Sequence, residues 1–198
     1  APSDVIRVTA TPGAVVEIQA EWLPQNGSAA TARLRIGRNP AQQPATLDAH
    51  APLSMLQKLA SALDVSTPLG AWNGAMTLQA EAILGDTGAS VRSVTGKATF
   101  TAAELQTNKT PKPAALALDG AVRYAWHPPA AQITLQPGLR WQAMVGGEPL
   151  SAKGQIDREF VIRIDDRLAH STGEFPFVLQ SPRWGEWNGA VQSLRLRA

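Results

Sequence analysis

A chain of 198 residues, 44% of them apolar, is long enough for one large domain or two small ones and can bury a core. A net charge of +2, from 18 basic and 16 acidic residues with no Lys/Arg run, argues against a nucleic-acid groove. The absence of cysteine excludes disulfides, thiol catalysis and thiolate metal sites, and no apolar run approaches the roughly 18 residues of a spanning helix.

In chain order, the first clear signal is period two. In "TARLRI", Ala32, Leu34 and Ile36 point one way and Thr31, Arg33 and Arg35 the other. One segment then changes period: Leu53, Leu56, Leu59, Ala60 and Leu63 recur at helical spacing, with Pro52 suited to a first turn and Pro68 blocking continuation. This predicts one amphipathic helix over 52–63, capping a face or end of the sheet. Alternation resumes in "MTLQAEAIL" from Met76 and in "SVTGKATFTA" around Phe100. The stretch 108–114 reads as a long loop, with a sub-lobe boundary as the alternative. Further strands follow in "LALDGAVRY", "LRWQAMV", "FVIRI" and the terminal "AVQSLRLRA", where Leu194 and Leu196 are expected inward. Turn signals such as Pro12-Gly13, Asn26-Gly27, Gly85-Asp86, Pro137-Gly138, Gly146-Gly147 and Thr172-Gly173 separate these runs. The expected fold is mainly β, a single domain over 1–198. It is a curved antiparallel sheet or β-sandwich of about ten or more strands with one helix.

Catalytic patterns are missing from the sequence. There is no G-x-S-x-G elbow and no glycine-rich phosphate loop before a helix. His50, His127 and His170 lack metal-ligand spacing, so no metal and no cofactor are expected. Asp165 and Asp166 are adjacent, and on a strand adjacent side chains face opposite ways. An enzyme is not expected; a carbohydrate-active reading would need Asp119, Glu148, Asp157, Asp165 or Asp166 gathered beside a tryptophan.

Tryptophan is the unusual ingredient, with six residues against one tyrosine. Trp141 alternates with Leu139 and Ala143 and reads as core, whereas Trp184 and Trp187 straddle a turn in "PRWGEWNG". The tetrapeptide Trp-Asn-Gly-Ala occurs twice, from Trp72 and from Trp187, each time before an alternating run. Asn-Gly adopts the positive φ of tight turns readily, so both copies read as strand-entry turns.

The leucine-rich "PLSMLQKL", the "PLGAWNGAMTL" step into a strand, and the strands "LDGAVRYAW" and "LRWQA" together resemble the N component of the bacterial type II secretion system. "AWNGA" and "EWNGA" stand for that family's small–Trp–x–Gly steps. The resemblance implies a β-rich periplasmic domain held to the inner membrane by a segment upstream of Ala1. It implies a non-enzymatic accessory role in protein transport, through contacts with other inner-membrane components or the secretin. Trp72, Trp184 and Trp187 would be the contact residues, on a sheet edge or on exposed turns. A second resemblance is to AsmA-like envelope bridge proteins, whose curved sheets shield lipid. It implies a lipid partner and an apolar groove lined by Leu78, Phe100, Leu118 and Trp141.

Overall fold

The computed structural model describes residues 5–24, 28–37, 43–62, 69–85, 90–107, 114–145, 150–165, 168–193 and 195–197. Seven strands come first: β1 (Val5–Thr11), β2 (Val15–Leu23), β3 (Ala30–Gly37), β4 (Ala45–Pro52), β5 (Leu69–Leu84), β6 (Val91–Thr107) and β7 (Ala114–His127). The helix α1 (Leu53–Ala62) lies between β4 and β5. Four further passes are each broken in two. They are β8 (Ala130–Leu135) with β9 (Arg140–Val145), β10 (Leu150–Gln155) with β11 (Phe160–Asp165), β12 (Leu168–Thr172) with β13 (Phe175–Ser181), and β14 (Gly185–Val191) with β15 (Arg195–Arg197).

All fifteen segments belong to one antiparallel sheet. The register reduces its branching to a simple plan. β7 pairs with β9 through its first half and with β8 through its second. β10 then pairs with β9 and β11 with β8. β13 pairs with β10 and β12 with β11, and β14 and β15 close on β13 and β12. The fold is therefore an eleven-pass meander without a crossover, and its later passes all break at the same level. It realises the open curved sheet, not the sandwich. The segment 108–113 lies outside the described residues; β6 and β7 pair up to Thr107 opposite Ala114.

The breaks form a crease across the strands. β5 shifts register between Asn73 and Ala75, and β6 bulges between Phe100 and Ala103, where Ala102 takes a φ of 46°. On β7, Gly120 has a φ of +132°, and a Cβ there would lie 2.7 Å from the Cα of Leu139. Only glycine combines that backbone with so close an approach. Leu139 and Ile156 sit in the gaps of their passes and tie them together. Gly138 N–H donates to the Ile156 carbonyl at 2.7 Å, and Ile156 N–H donates to the Leu139 carbonyl at 2.8 Å.

The crease separates a broad wing from a narrow one. The broad wing holds β1 to β4, the later parts of β5 and β7 with the earlier part of β6, then β8, β11, β12 and β15. The narrow wing holds the rest: β5 and β6 at their other ends, the start of β7, and β9, β10, β13 and β14. Each wing has an apolar face and a polar face, as alternation requires. In the broad wing one apolar row runs Val8, Ala20, Ala32, Ala49, Leu78, Ala98, Val122, Leu135, Phe160. The polar row beside it carries Gln19, Arg33, Asp48, Gln79, Lys97 and Arg123.

The tightest packing sits at the crease. Ile156 is 0% and Leu139 2% exposed, and Ala103 and Phe160 are also buried. The apolar faces of the two wings meet there through rings. Phe175 stacks on Trp141 with centroids 4.9 Å apart and meets Phe160 at 5.3 Å. Elsewhere, apart from the cover of the helix α1, the described sheet is one layer thick. Its accessible surface is 12805 Å², against about 9,000 Å² expected for a compact monomer of 21.0 kDa. The excess is what an unlayered sheet leaves open.

Among the described residues α1 supplies the one helical cover. It packs against β5 and β4, burying Leu53 and Met55, with Leu56 half-buried. Its limits agree with the predicted 52–63 to within a residue. Leu53 and Leu56 lie inward as the helical spacing predicts, and Met55 joins them in the core. The side chains of Leu59 and Ala60, and Leu63, lie outside the described residues, as does Leu194.

One expectation is corrected. Neither Trp-Asn-Gly-Ala copy is a strand-entry turn: Trp72 to Ala75 lies inside β5 and Trp187 to Ala190 inside β14. In the first copy Gly74 has a φ of +87°, which makes a bulge that the strand continues through. In the second, Asn188 and Gly189 pair regularly with Val178 and Phe177. Ladder pairing with a neighbouring strand outweighs the turn preference of Asn-Gly in both.

Candidate interaction surface

The narrow wing's apolar face is built from a cross-strand row that no short sequence window displays. Trp72 pairs with Leu105, Leu105 with Leu116, and Leu116 with Ala143. Ala143 then pairs with Ala152, Ala152 with Leu179, and Leu179 with Trp187. The tryptophans of the two Trp-Asn-Gly-Ala copies thus end the same row, on the first and last strands of this wing. Their asparagines, Asn73 and Asn188, end the next row on the opposite face, through Glu104, Ala117, Gln142, Lys153 and Val178. Six antiparallel steps separate β5 from β14, so both copies run in the same direction. At about 4.8 Å per strand the row spans roughly 29 Å.

Its two ends differ. Trp72 is half-buried, and its indole N–H is buried without a hydrogen-bond partner. Trp187 is 63% exposed, and Trp184 in the preceding turn is 64% exposed. That turn is ordered by its own polar groups. Arg183 N–H donates to the Ser181 hydroxyl at 3.2 Å, Gly185 has a φ of +78°, and the Trp187 indole donates to the Trp184 carbonyl at 3.0 Å. Gln180 donates to Glu186 at 2.8 Å across the hairpin. β14 pairs only with β13, so its other edge is unpaired among the described residues. Two large indoles therefore stand in solvent beside a free strand edge.

Leu78, Phe100, Leu118 and Trp141 all lie on the apolar face and are half-buried, but on both sides of the crease. Leu78 and Phe100 belong to the broad wing. Leu118 pairs with Trp141 in the narrow wing, and the Trp141 ring covers Gly154, where a Cβ would meet its Nε1 at 2.7 Å. A cleft of about 560 Å³ includes Leu118 and Trp141 together with Glu104, Asp119, Arg140 and Lys153. By register, those charged residues occupy the polar face.

The other candidates are dispersed. Asp119 forms an ion pair with Arg140. Asp157 lies exposed between β10 and β11, and Asp165 exposed at the end of β11; Glu148 and Asp166 lie outside the described residues. His50 contacts the Thr77 hydroxyl at 3.1 Å from β4, His127 ends β7, and His170 is on β12. Among the described residues no group of three His, Cys, Asp or Glu side chains is placed to hold a metal ion, and no helix is long and apolar enough to cross a membrane. On the polar face of the broad wing a cleft of about 760 Å³ gathers Arg35, Lys97 and Arg123 with Asp48, Glu81 and Glu159. Arg123 and Glu159 pair with each other, and Glu17 bridges Arg33 at 3.3 Å and Arg35 at 3.0 Å. The Gln19 hydrogen bond, followed by that from Arg35, holds the Glu17 carboxyl below its usual range.

No family model matches the chain, and neither does any curated protein or any solved structure.

Two features escaped sequence reasoning. The Trp72-to-Trp187 row needs six registers added together. The edge strand β1 was legible in principle, since Ile6, Val8 and Ala10 alternate with Arg7, Thr9 and Thr11.

Proposed function

We propose that this chain is a non-enzymatic domain of the bacterial envelope that acts through protein–protein contacts, as an accessory component of a type II secretion machine. The observation that carries the reading is the Trp184–Trp187 pair, solvent-exposed beside the edge of β14 that no described strand pairs. Exposed aromatic residues of this size are typical anchors of protein interfaces, and a free strand edge can accept a partner's strand. In this reading the domain stands in the periplasm, held at the inner membrane by a preceding segment, and its partners are other inner-membrane components or the secretin. The test is recovery of secretion components with the tagged protein from solubilised envelopes. The double variant Trp184→Ala/Trp187→Ala should lose them while its circular dichroism stays that of the parent. Undiminished recovery, or recovery of no envelope component by the parent, would sink the proposal.

A second reading is supported by the open apolar face. A one-layer sheet whose apolar faces converge on the Phe160–Phe175–Trp141 cluster suits an AsmA-like role of shielding acyl chains, with Leu78, Phe100 and Leu118 along the path. Mass spectrometry of an organic extract of the purified protein decides it. Stoichiometric phospholipid favours this reading, and an extract free of lipid removes it.

A further inference from the structure

The two ends of the sheet are not equally protected. Among the described residues β15 offers three, with Arg195 exposed, and β14 carries Glu186 and two glycines. Charge, glycine and shortness are the usual means of blunting an edge. β1 is neither short nor interrupted by glycine, and its one charged residue, Arg7, stands opposite Glu21 on β2. It is a regular seven-residue strand, "VIRVTAT", paired in full register with β2 on one side and with nothing described on the other. Every residue in it is exposed, Ile6 at 63% and Val8 at 64%.

The sequence of β1 is complementary to itself. When two copies are laid antiparallel about a two-fold axis, one register pairs all seven residues, the one with Val8 on the axis. Val8 then faces Val8 of the second copy, and Ile6 faces Ala10, so Ile6, Val8 and Ala10 of both copies share one face. On the other face Arg7 stands opposite Thr9, and Val5 opposite Thr11. No like charges oppose one another, and each Arg7 keeps Glu21 as its cross-strand neighbour on β2. Centring the axis on Arg7 would set two arginines against each other, and centring it on Thr9 would shorten the ladder. The apolar row from Val8 to Phe160 would run across the axis into its equivalent in the second copy.

We infer that β1 is a homodimerisation edge, at which two copies of this chain join antiparallel about Val8 into one continuous sheet. This does not depend on the functional reading above, which concerns the opposite end of the meander. A seven-residue ladder lies near the small end of specific interfaces, so dissociation in the micromolar range is expected. The two-fold register brings the Val8 Cα atoms to about 4.5–5.5 Å, within disulfide reach, in a chain with no cysteine of its own.

Two experiments on the intact chain test the inference. Sedimentation should show a reversible dimer, which Val8→Lys abolishes with an unchanged circular dichroism spectrum, because it sets two ammonium groups on the axis. Mild oxidation should convert Val8→Cys largely into a covalent dimer while Lys97→Cys, exposed on a central strand, stays monomeric. A chain monomeric at millimolar concentration overturns the inference. So does a dimer that survives Val8→Lys, or equal cross-linking of the two cysteine variants.

Discussion

The crease and the two ends of the sheet are made from the same alternating strands, yet they hold opposite kinds of residue. At the crease, Leu139, Ile156, Phe160 and Ala103 are buried, and rings from both wings meet. At the ends, Ile6, Val8, Trp184 and Trp187 are apolar residues left in water. A single-layer sheet has no second layer to bury its apolar face against, so it gathers stability where it folds on itself. Away from that line it leaves apolar surface available to partners. Position relative to the crease, more than residue type, decides whether an apolar side chain in this chain serves stability or contact.

The largest effect should come from emptying the crease. Phe160→Ala removes a buried ring from the aromatic cluster and should cost about 3–5 kcal/mol in urea unfolding. Ile6→Ala, on β1, should stay within about 0.5 kcal/mol. Similar losses at both positions would dissolve the contrast.

Backbone positions sharpen the comparison. Gly120→Ala combines a φ of +132° with a 2.7 Å approach to Leu139 and should cost roughly 2–4 kcal/mol. Gly138 has a φ of +86° but nothing within 4 Å of a Cβ, so its alanine variant should lose only about 1–2 kcal/mol. If the two variants unfold together, the approach to Leu139 contributes nothing.

At the far edge, Trp187→Ala should change stability by less than about 1 kcal/mol, since its ring is mostly in solvent. A loss as large as that of Phe160→Ala would reassign Trp187 to the core.

The smallest effect concerns pH. The Glu17 carboxyl is held below its ordinary value of 4.5 by the Gln19 hydrogen bond, then by Arg35 and Arg33. Its contribution is therefore present above the ordinary value and is lost as pH falls through the lowered one. Glu17→Gln should slightly flatten the acid limb of the stability curve; a steeper limb would reverse the assignment.

Much of the sheet is visible in the alternation of Leu34, Leu78, Val122 and Ile162 with polar neighbours, because a half-buried strand writes its faces into every second residue. The helix is visible too, as a change of period. The crease is not, since Gly120 and Ala102 look like ordinary strand residues until Leu139 is brought against one and the bulge placed at the other. The two Trp-Asn-Gly-Ala copies show the limit most plainly. Local turn preference points to two turns, whereas strand pairing draws them into β5 and β14 and sets both tryptophans at the ends of one row. Exposure of Trp184 and Trp187 was partly foreseeable from their turn, but their place beside a free edge depends on the order of all the strands.

Amide hydrogen exchange in dilute solution, read along the whole chain, tests the division of labour most directly. The slowest amides should lie beside the crease, in β6, β7, β9 and β11 and at Ile156, while β1 and β14 exchange fastest among the strands. Equal protection of β1, β14 and the strands at the crease would contradict a sheet that is stable along its crease and open at its ends.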